Sequence, residues 1–298
     1  MRLCMVVGVC GLCAAASAQV ERFIPVPNRA TVAPVAINGK PWTTRPASEA
    51  VVDLYTNNSG AYFSSTAVPR ASLDGITMDS GGSPVDMHSV VISFVTEATF
   101  PIGGSCDVRV LFFEDCDETN LLTPINANVL GDFTASFVGL DPGFIYSSFP
   151  IDLNLVFGQP VTVADGHMGL EFRVIDPATQ LPHTTCTIGF AGGPIILGSS
   201  VDLYWRDANL NGVYDPSDAR FFGGAPNLAN FYFEVDGEVV GGQCYADCEG
   251  DGDLDVFDFL CFQNEHSNQT AYGDCENDGD WDIFDFLCFQ NAYSNGCP

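Results

Sequence analysis

Eighteen residues beginning at Asp247, DCEGDGDLDVFDFLCFQN, recur from Asp274 as DCENDGDWDIFDFLCFQN, a period of 27 with fifteen of eighteen positions identical. Each copy places acidic side chains at relative positions 1, 3, 5, 9 and 12 and a glycine at 6. In the first copy these are Asp247, Glu249, Asp251, Asp255 and Asp258 around Gly252; in the second, Asp274, Glu276, Asp278, Asp282 and Asp285 around Gly279. The chemistry this spacing supports is coordination of a hard divalent cation. Calcium takes six to eight oxygens at about 2.3–2.6 Å, and a chain wrapping it turns alternate side chains inward until a sharp turn reverses it. Glycine makes that turn without a Cβ penalty, and the carbonyls of Asp253 and Asp280 fall at position 7. Ca2+ is the expected ligand of both loops.

A third segment, DANLNGVYDPSD, fits the same template with Asp207, Asn209, Asn211, Asp215 and Asp218, Gly212 at position 6 and the Val213 carbonyl at 7. Two amides replace carboxylates, so a calcium site here is expected to be weaker. The same residues also favour a metal-free β-turn. Tyr204, Trp205, Tyr214, Phe221 and Phe222 cluster around this loop. Aromatics beside calcium can stack on sugar rings, but alternate members of such a cluster more often fill a core, and a core role is expected.

Other chemistries find no support. His88, His167, His183 and His266 are scattered, without a zinc spacing. There is no GxSxG elbow, Walker loop or dinucleotide fingerprint. A carboxylate pair for glycoside cleavage could be drawn in any acidic protein and discriminates nothing.

Charge and cysteine usage divide the chain. All ten Lys and Arg lie at or before Arg220, against a formal net charge of −28, and residues 243–298 hold thirteen Asp or Glu with no Lys or Arg. Such a tail repels nucleic acid and anionic lipid and demands a source of positive charge. Residues 1–18 read as a secretory signal peptide, with Arg2 as the positive region, Leu3 to Ala15 as the apolar core and Ala16-Ser17-Ala18 as the cleavage site. Val9 and Leu12 argue against a lipid anchor on Cys10 or Cys13. No later stretch reaches the roughly 20 uncharged apolar residues of a membrane span. A secreted or extracellular location is expected, and export favours disulfides over thiolate metal sites.

The elements that must position the loops follow from periodicity. Residues 19–47 hold five prolines and little periodicity, an extended lead-in. Residues 48–242 alternate apolar and polar side chains in short runs: Val108, Val110 and Phe112; Ile151, Leu153, Leu155 and Phe157; Met168, Leu170, Phe172 and Val174; Val201, Leu203 and Trp205; Phe231, Phe233 and Val235. Runs of this kind between Gly, Pro, Asn and Asp are half-buried strands, and the fold class expected is an all-β sandwich, jelly-roll-like, with a small C-terminal α module at 243–298. Cys106 and Cys116 bracket an apparent strand, too far apart to pair, so one of them is open to bonding Cys186 and the other stays free, buried or intermolecular.

The tail resembles a dockerin, the calcium-dependent plug that docks secreted proteins onto cohesin receptors. The resemblance rests on two loop-helix units, with room for only one exiting helix per repeat and Asp at position 12, and covers Asp247 to about Asn291. It departs from the commonest pattern at Glu249 and Glu276 and in its six cysteines. Repeat symmetry favours Cys244 with Cys297 as a terminal clasp, and either Cys248 with Cys261 and Cys275 with Cys288, or the crossed alternative. The resemblance implies a cohesin-like or other surface receptor protein as partner, and receptor selection by loop positions 10 and 11, here Val256 and Phe257, and Ile283 and Phe284. The function expected is an exported, non-catalytic β-sandwich protein held on a surface or complex by this module. The alternatives are a polysaccharide-active enzyme and a glycan-binding lectin carrying it.

Overall fold

A computed structural model describes residues 19–20, 23–43, 52–65, 71–118, 124–125, 128–207, 211, 213–221, 230–240, 245–249, 254–270, 272–275 and 279–295. The expected signal peptide and the Cys244–Cys297 clasp lie outside the described residues, as do Asn209, Gly212, Phe222, Asp251, Gly252, Asp253, Glu276 and Asp278.

The described chain is mostly β, in two sheets, with two helices at its C-terminal end. The first sheet runs in the order Gln19–Val20, Ala219–Phe221, Tyr204–Arg206, Ser72–Thr77, His167–Ile175, Gly104–Phe113, Val129–Leu140, Ala36–Ile37, Lys40–Pro41. Its central strand shows why it forms. Cys106, Val108, Val110 and Phe112 alternate onto one face and are fully buried. Val110 stands opposite Phe133 on one side and Phe172 on the other, so a slip of one residue would expose the whole row. The second sheet is built round the twelve residues Val85–Thr96, which pair antiparallel with Phe144–Ser148, Ile151–Asp152, Val161–Val163, Cys186–Ala191 and Phe233–Val239.

Both sheets contribute to one apolar cluster, with Phe112, Phe133 and Phe137 from the first and Val90, Ile92, Phe94 and Phe233 from the second. Phe94 and Phe137 meet across it with ring centroids 4.7 Å apart. Each such ring, fully buried, stabilises the fold by about 1.5–3 kcal/mol.

Three expectations need correction. The lead-in is extended but not separate from the body. Asn28–Val32 pairs in parallel with Phe144–Ser148, and Ala36–Ile37 pairs with Val129–Leu140, because an extended strand needs no periodicity to lend its backbone to a sheet edge. The run Ile151 to Phe157 is a strand only at Ile151–Asp152; Leu153–Phe157 is a helical turn, capped by the Asp152 carboxylate on Leu155 N–H and closed by Gly158 in the left-handed region. Leu153 and Phe157, four apart, share a face in a helix as well as in a strand, whereas Leu155 turns outward. Val201 and Leu203 likewise fall outside the strand, which is confined to Tyr204–Arg206.

The tail consists of two helices, Val256–Ser267 and Ile283–Asn295. Disulfides Cys248–Cys261 and Cys275–Cys288 tie each loop to its own helix, with Cα atoms 5.7 and 5.9 Å apart. This is the within-repeat pairing rather than the crossed one. Each closes a loop spanning 13 residues, a constraint worth about 3 kcal/mol on the unfolded chain. Phe262 and Phe289 stack at 4.2 Å, and Tyr245 and Tyr272 at 4.8 Å. Tyr245 donates its hydroxyl to the Tyr272 carbonyl at 2.5 Å, and Tyr272 donates back to the Tyr245 carbonyl. Residues 27 apart that meet each other reciprocally mark a local two-fold relation between the repeats.

Candidate functional site

The three acidic loops close in the same way. At position 12, the carboxylate accepts the backbone N–H of position 9: Asp258 from Asp255 at 2.8 Å, Asp285 from Asp282 at 2.8 Å, Asp218 from Asp215 at 3.2 Å. At position 9, the carboxylate accepts the N–H of position 11, from Phe257, Phe284 and Ser217, each at 2.7 Å. In the tail this reciprocal capping starts a helix, and carboxylates at a helix N-terminus are stabilised by its dipole. In the body it starts the strand Ala219–Phe221 instead.

The openings of the body loop and of the second tail loop are held similarly. Asp207 Oδ1 accepts from Asn211 N at 3.2 Å, Asn211 Oδ1 from Val213 N at 2.8 Å, and Asp274 Oδ2 from Gly279 N at 2.9 Å. Gly279 has φ of +87°, the reversal that the template asks of position 6. The body loop is anchored from below by Tyr214, whose hydroxyl donates to the buried Glu171 at 2.5 Å, and Glu171 in turn accepts from Arg173.

Whether these residues fit a cation can be tested on their oxygens. Asp258, Asp285 and Asp218 are buried, and Asp258 Oδ1 has no hydrogen-bond partner among the described residues. A buried carboxylate oxygen left bare costs several kcal/mol unless a cation or proton meets it, so the donor chemistry fits an oxygen-seeking ion. Among the described residues no group of three His, Cys, Asp or Glu side chains converges on one point. Positions 5 and 7 of the first loop, 3 and 5 of the second and 3 of the body loop are not among them. Glu249, Asp247, Asp274 and Asp280 are described and engaged in other interactions.

Beside the tail loops lies an apolar surface present twice. Val256 and Phe257 are 62% and 56% exposed, their counterparts Ile283 and Phe284 64% and 55%. Leu260 and Leu287 extend each patch, whereas Phe262 and Phe289 are fully buried between the helices. His266 joins the repeats, its Nε2 lying 3.1 Å from the Asp282 carbonyl and 3.8 Å from Asp285 Oδ2. Tyr245 and Tyr272 were not singled out by the spacing of acidic residues. Their signal was present all the same, since the repeat extends two residues upstream as Tyr245-Ala246 and Tyr272-Gly273. Burial, then nearby acidic and phenolic groups, raises both phenols, Tyr272 to about 12, so both remain donors.

The aromatic cluster near the body loop is core. Tyr204, Trp205 and Tyr214 are buried and Phe221 is half-buried, so none of the described rings of the cluster offers a flat platform for a sugar ring. Beneath it lies a pair that the sequence pattern did not reveal, Asp74 and Glu118. Asp74 accepts from Phe231 N at 3.2 Å and Ser200 Oγ at 3.3 Å. Burial, and then the neighbouring Glu118, pushes Asp74 far above the usual carboxylate range; burial lifts Glu118 to about 7. Glu118 lies over Gly75, where a Cβ would come within 2.7 Å of its side chain. Asp74 has no exposed surface and cannot touch a substrate. A cavity of about 220 Å³ lies elsewhere, lined by Lys40, Trp42, Asp152 and Leu155 among others.

Fold and site together define a class: a two-sheet β protein with a disulfide-stapled tail of duplicated acidic loop-helix units. No family model, curated protein or solved structure matches the chain. No helix among the described residues is long and apolar enough to cross a membrane.

Proposed function

We propose that the chain is an exported, non-catalytic protein whose body, a jelly-roll-like β-sandwich, is held on a cell-surface or extracellular complex by its tail, a calcium-dependent dockerin-like module that docks on a cohesin-like receptor protein. The observation that carries this reading is the duplication of one unit, an acidic loop closed onto a helix that offers the same exposed apolar pair in both copies. In it, Asp247, Glu249, Asp251, Asp255 and Asp258, with the Asp253 carbonyl, would hold one Ca2+. The second would take Asp274, Glu276, Asp278, Asp282 and Asp285 with the Asp280 carbonyl, and the body loop a third on Asp207, Asn209, Asn211, Asp215, Asp218 and the Val213 carbonyl. The ions supply positive charge to a tail with thirteen carboxylates and no Lys or Arg. The protein's own part is to order the loops so that Val256 with Phe257, and Ile283 with Phe284, stand at the surface, where an apolar patch marks an interface.

Docking is tested with the full chain and cells of the producing organism. In calcium, Val256→Asp with Phe257→Asp should weaken surface capture by less than about tenfold, because the second copy still presents its pair. The same change in both copies should abolish capture while calorimetry records unchanged calcium binding. Full capture by the double-copy variant would overturn the docking surface, and a titration without calcium heat at millimolar concentration would overturn the metal assignment.

A further inference from the structure

Three cysteines lie in the body, and they are not equivalent. Cys106 sits on Gly104–Phe113 at the centre of the first sheet, and Cys186 opens Cys186–Ala191 in the second. Both are fully buried in the shared core as free thiols, and Cys186 lies close enough to Cys106 to act on its thiol. Cys116 is also buried but packs in a different cluster, with Leu73, Phe113 and Trp205. From Cys106 to Phe113 the strand alone extends about 23 Å, far beyond the 7 Å within which Cα atoms can be bridged.

We infer that Cys106 and Cys186 form a disulfide that joins the two sheets through the core, leaving Cys116 as the thiol of the body. The same chain carries Cys248–Cys261 and Cys275–Cys288, so the conditions that oxidise the tail also act on the body. Two thiols in contact gain little from a weak S–H hydrogen bond, whereas a covalent bond between them closes a loop of about 80 residues, where the constraint on the unfolded chain is large. The oxidant is a disulfide, oxidised glutathione or the disulfide of a thiol oxidase. One body thiolate attacks it and displaces a thiolate; the second body thiolate then attacks the mixed disulfide. The two protons of Cys106 and Cys186 and their two electrons leave with the reduced oxidant, as two thiols.

Burial sets when this happens. Attack needs a thiolate, and desolvation keeps Cys106 protonated. The bond therefore forms while the core is open, during folding, and once closed is shielded from reductants.

The test is a peptide map of the full chain, prepared by export into an oxidising periplasm and, separately, by refolding the reduced chain in calcium with a glutathione couple. Free thiols are alkylated under denaturing, non-reducing conditions. Alkylated Cys116 is expected, with a Cys106–Cys186 cross-link beside the tail pairs Cys248–Cys261 and Cys275–Cys288 and the expected Cys244–Cys297 clasp; Cys106→Ala should leave Cys186 alkylated. The folded reduced chain should acquire the cross-link at least about 100-fold more slowly than the refolding chain, and should melt roughly 10 °C lower once the tail pairs are matched. Alkylation of both Cys106 and Cys186 in chains whose tail pairs are intact, or a cross-link from Cys116 to either, would overturn the assignment.

Discussion

One loop chemistry is supported in two different ways in this molecule. The body loop at Asp207–Asp218 sits on a finished frame: Tyr214 reaches Glu171 in the sheet, Asp207 N–H bonds the Ala71 carbonyl and Arg206 N–H the Asp218 carbonyl. The tail loops have almost no frame. Among the described residues, their helices bury Phe262 and Phe289, Tyr245 stacks on Tyr272, His266 reaches the Asp282 carbonyl, Trp281 donates to the Thr270 carbonyl, and two disulfides tie loop to helix. A small domain with so little apolar burial needs staples. An ion in the body would add to a structure already made, while in the tail it would be part of what makes the structure.

The largest expected effect tests that difference. With disulfides intact, chelation should raise hydrogen exchange in Val256–Ser267 and Ile283–Asn295 by about 100-fold or more, the linkage expected when calcium stands 100-fold above its dissociation constant. The strands Gly104–Phe113 and Val85–Thr96 should not change. Equal protection of the tail in chelator, read by mass spectrometry, would break the comparison.

Next in size is a pH response of opposite sign in the two regions. Glu118 goes from 4.5 in the unfolded chain to about 7 in the folded one, so its stability contribution is complete below about pH 4.5 and lost as pH rises through 7. That amounts to about 3 kcal/mol at most, and Asp74 acts in the same direction. Between pH 5 and 8 the denaturant midpoint of the body should therefore fall, and Glu118→Gln should flatten the fall. Calcium-dependent order in the tail should instead increase with pH, because ligand carboxylates must be ionised. A flat wild-type profile would remove the buried acid pair from the account.

The smallest effect is that of Asp207→Ala. In calcium it should lower the melting midpoint of the body by the equivalent of about 1–3 kcal/mol, and in chelator by much less. Equal losses in both buffers would identify a metal-free turn and sharpen the contrast with the tail.

What could be read from the amino-acid order alone was what is local or strictly periodic. The loop closures were legible because the acidic template is written within twelve consecutive residues, and the reciprocal bonds between positions 9, 11 and 12 need nothing from elsewhere in the chain. The strands at 104–113 and 167–175 were legible because one buried face imposes a period of two. Leu153–Phe157 was misread since one helical turn and a short strand place the same two apolar residues inward. Tertiary structure alone decided the rest. Repeat symmetry permitted both within-repeat and crossed disulfides, and only the folding of each loop back onto its own helix brings Cys248 to Cys261 and Cys275 to Cys288. Asp74 and Glu118, 44 residues apart, and Cys106 and Cys186, 80 apart, meet because sheets bring distant segments into contact, and no spacing along the chain records which strand will lie against which.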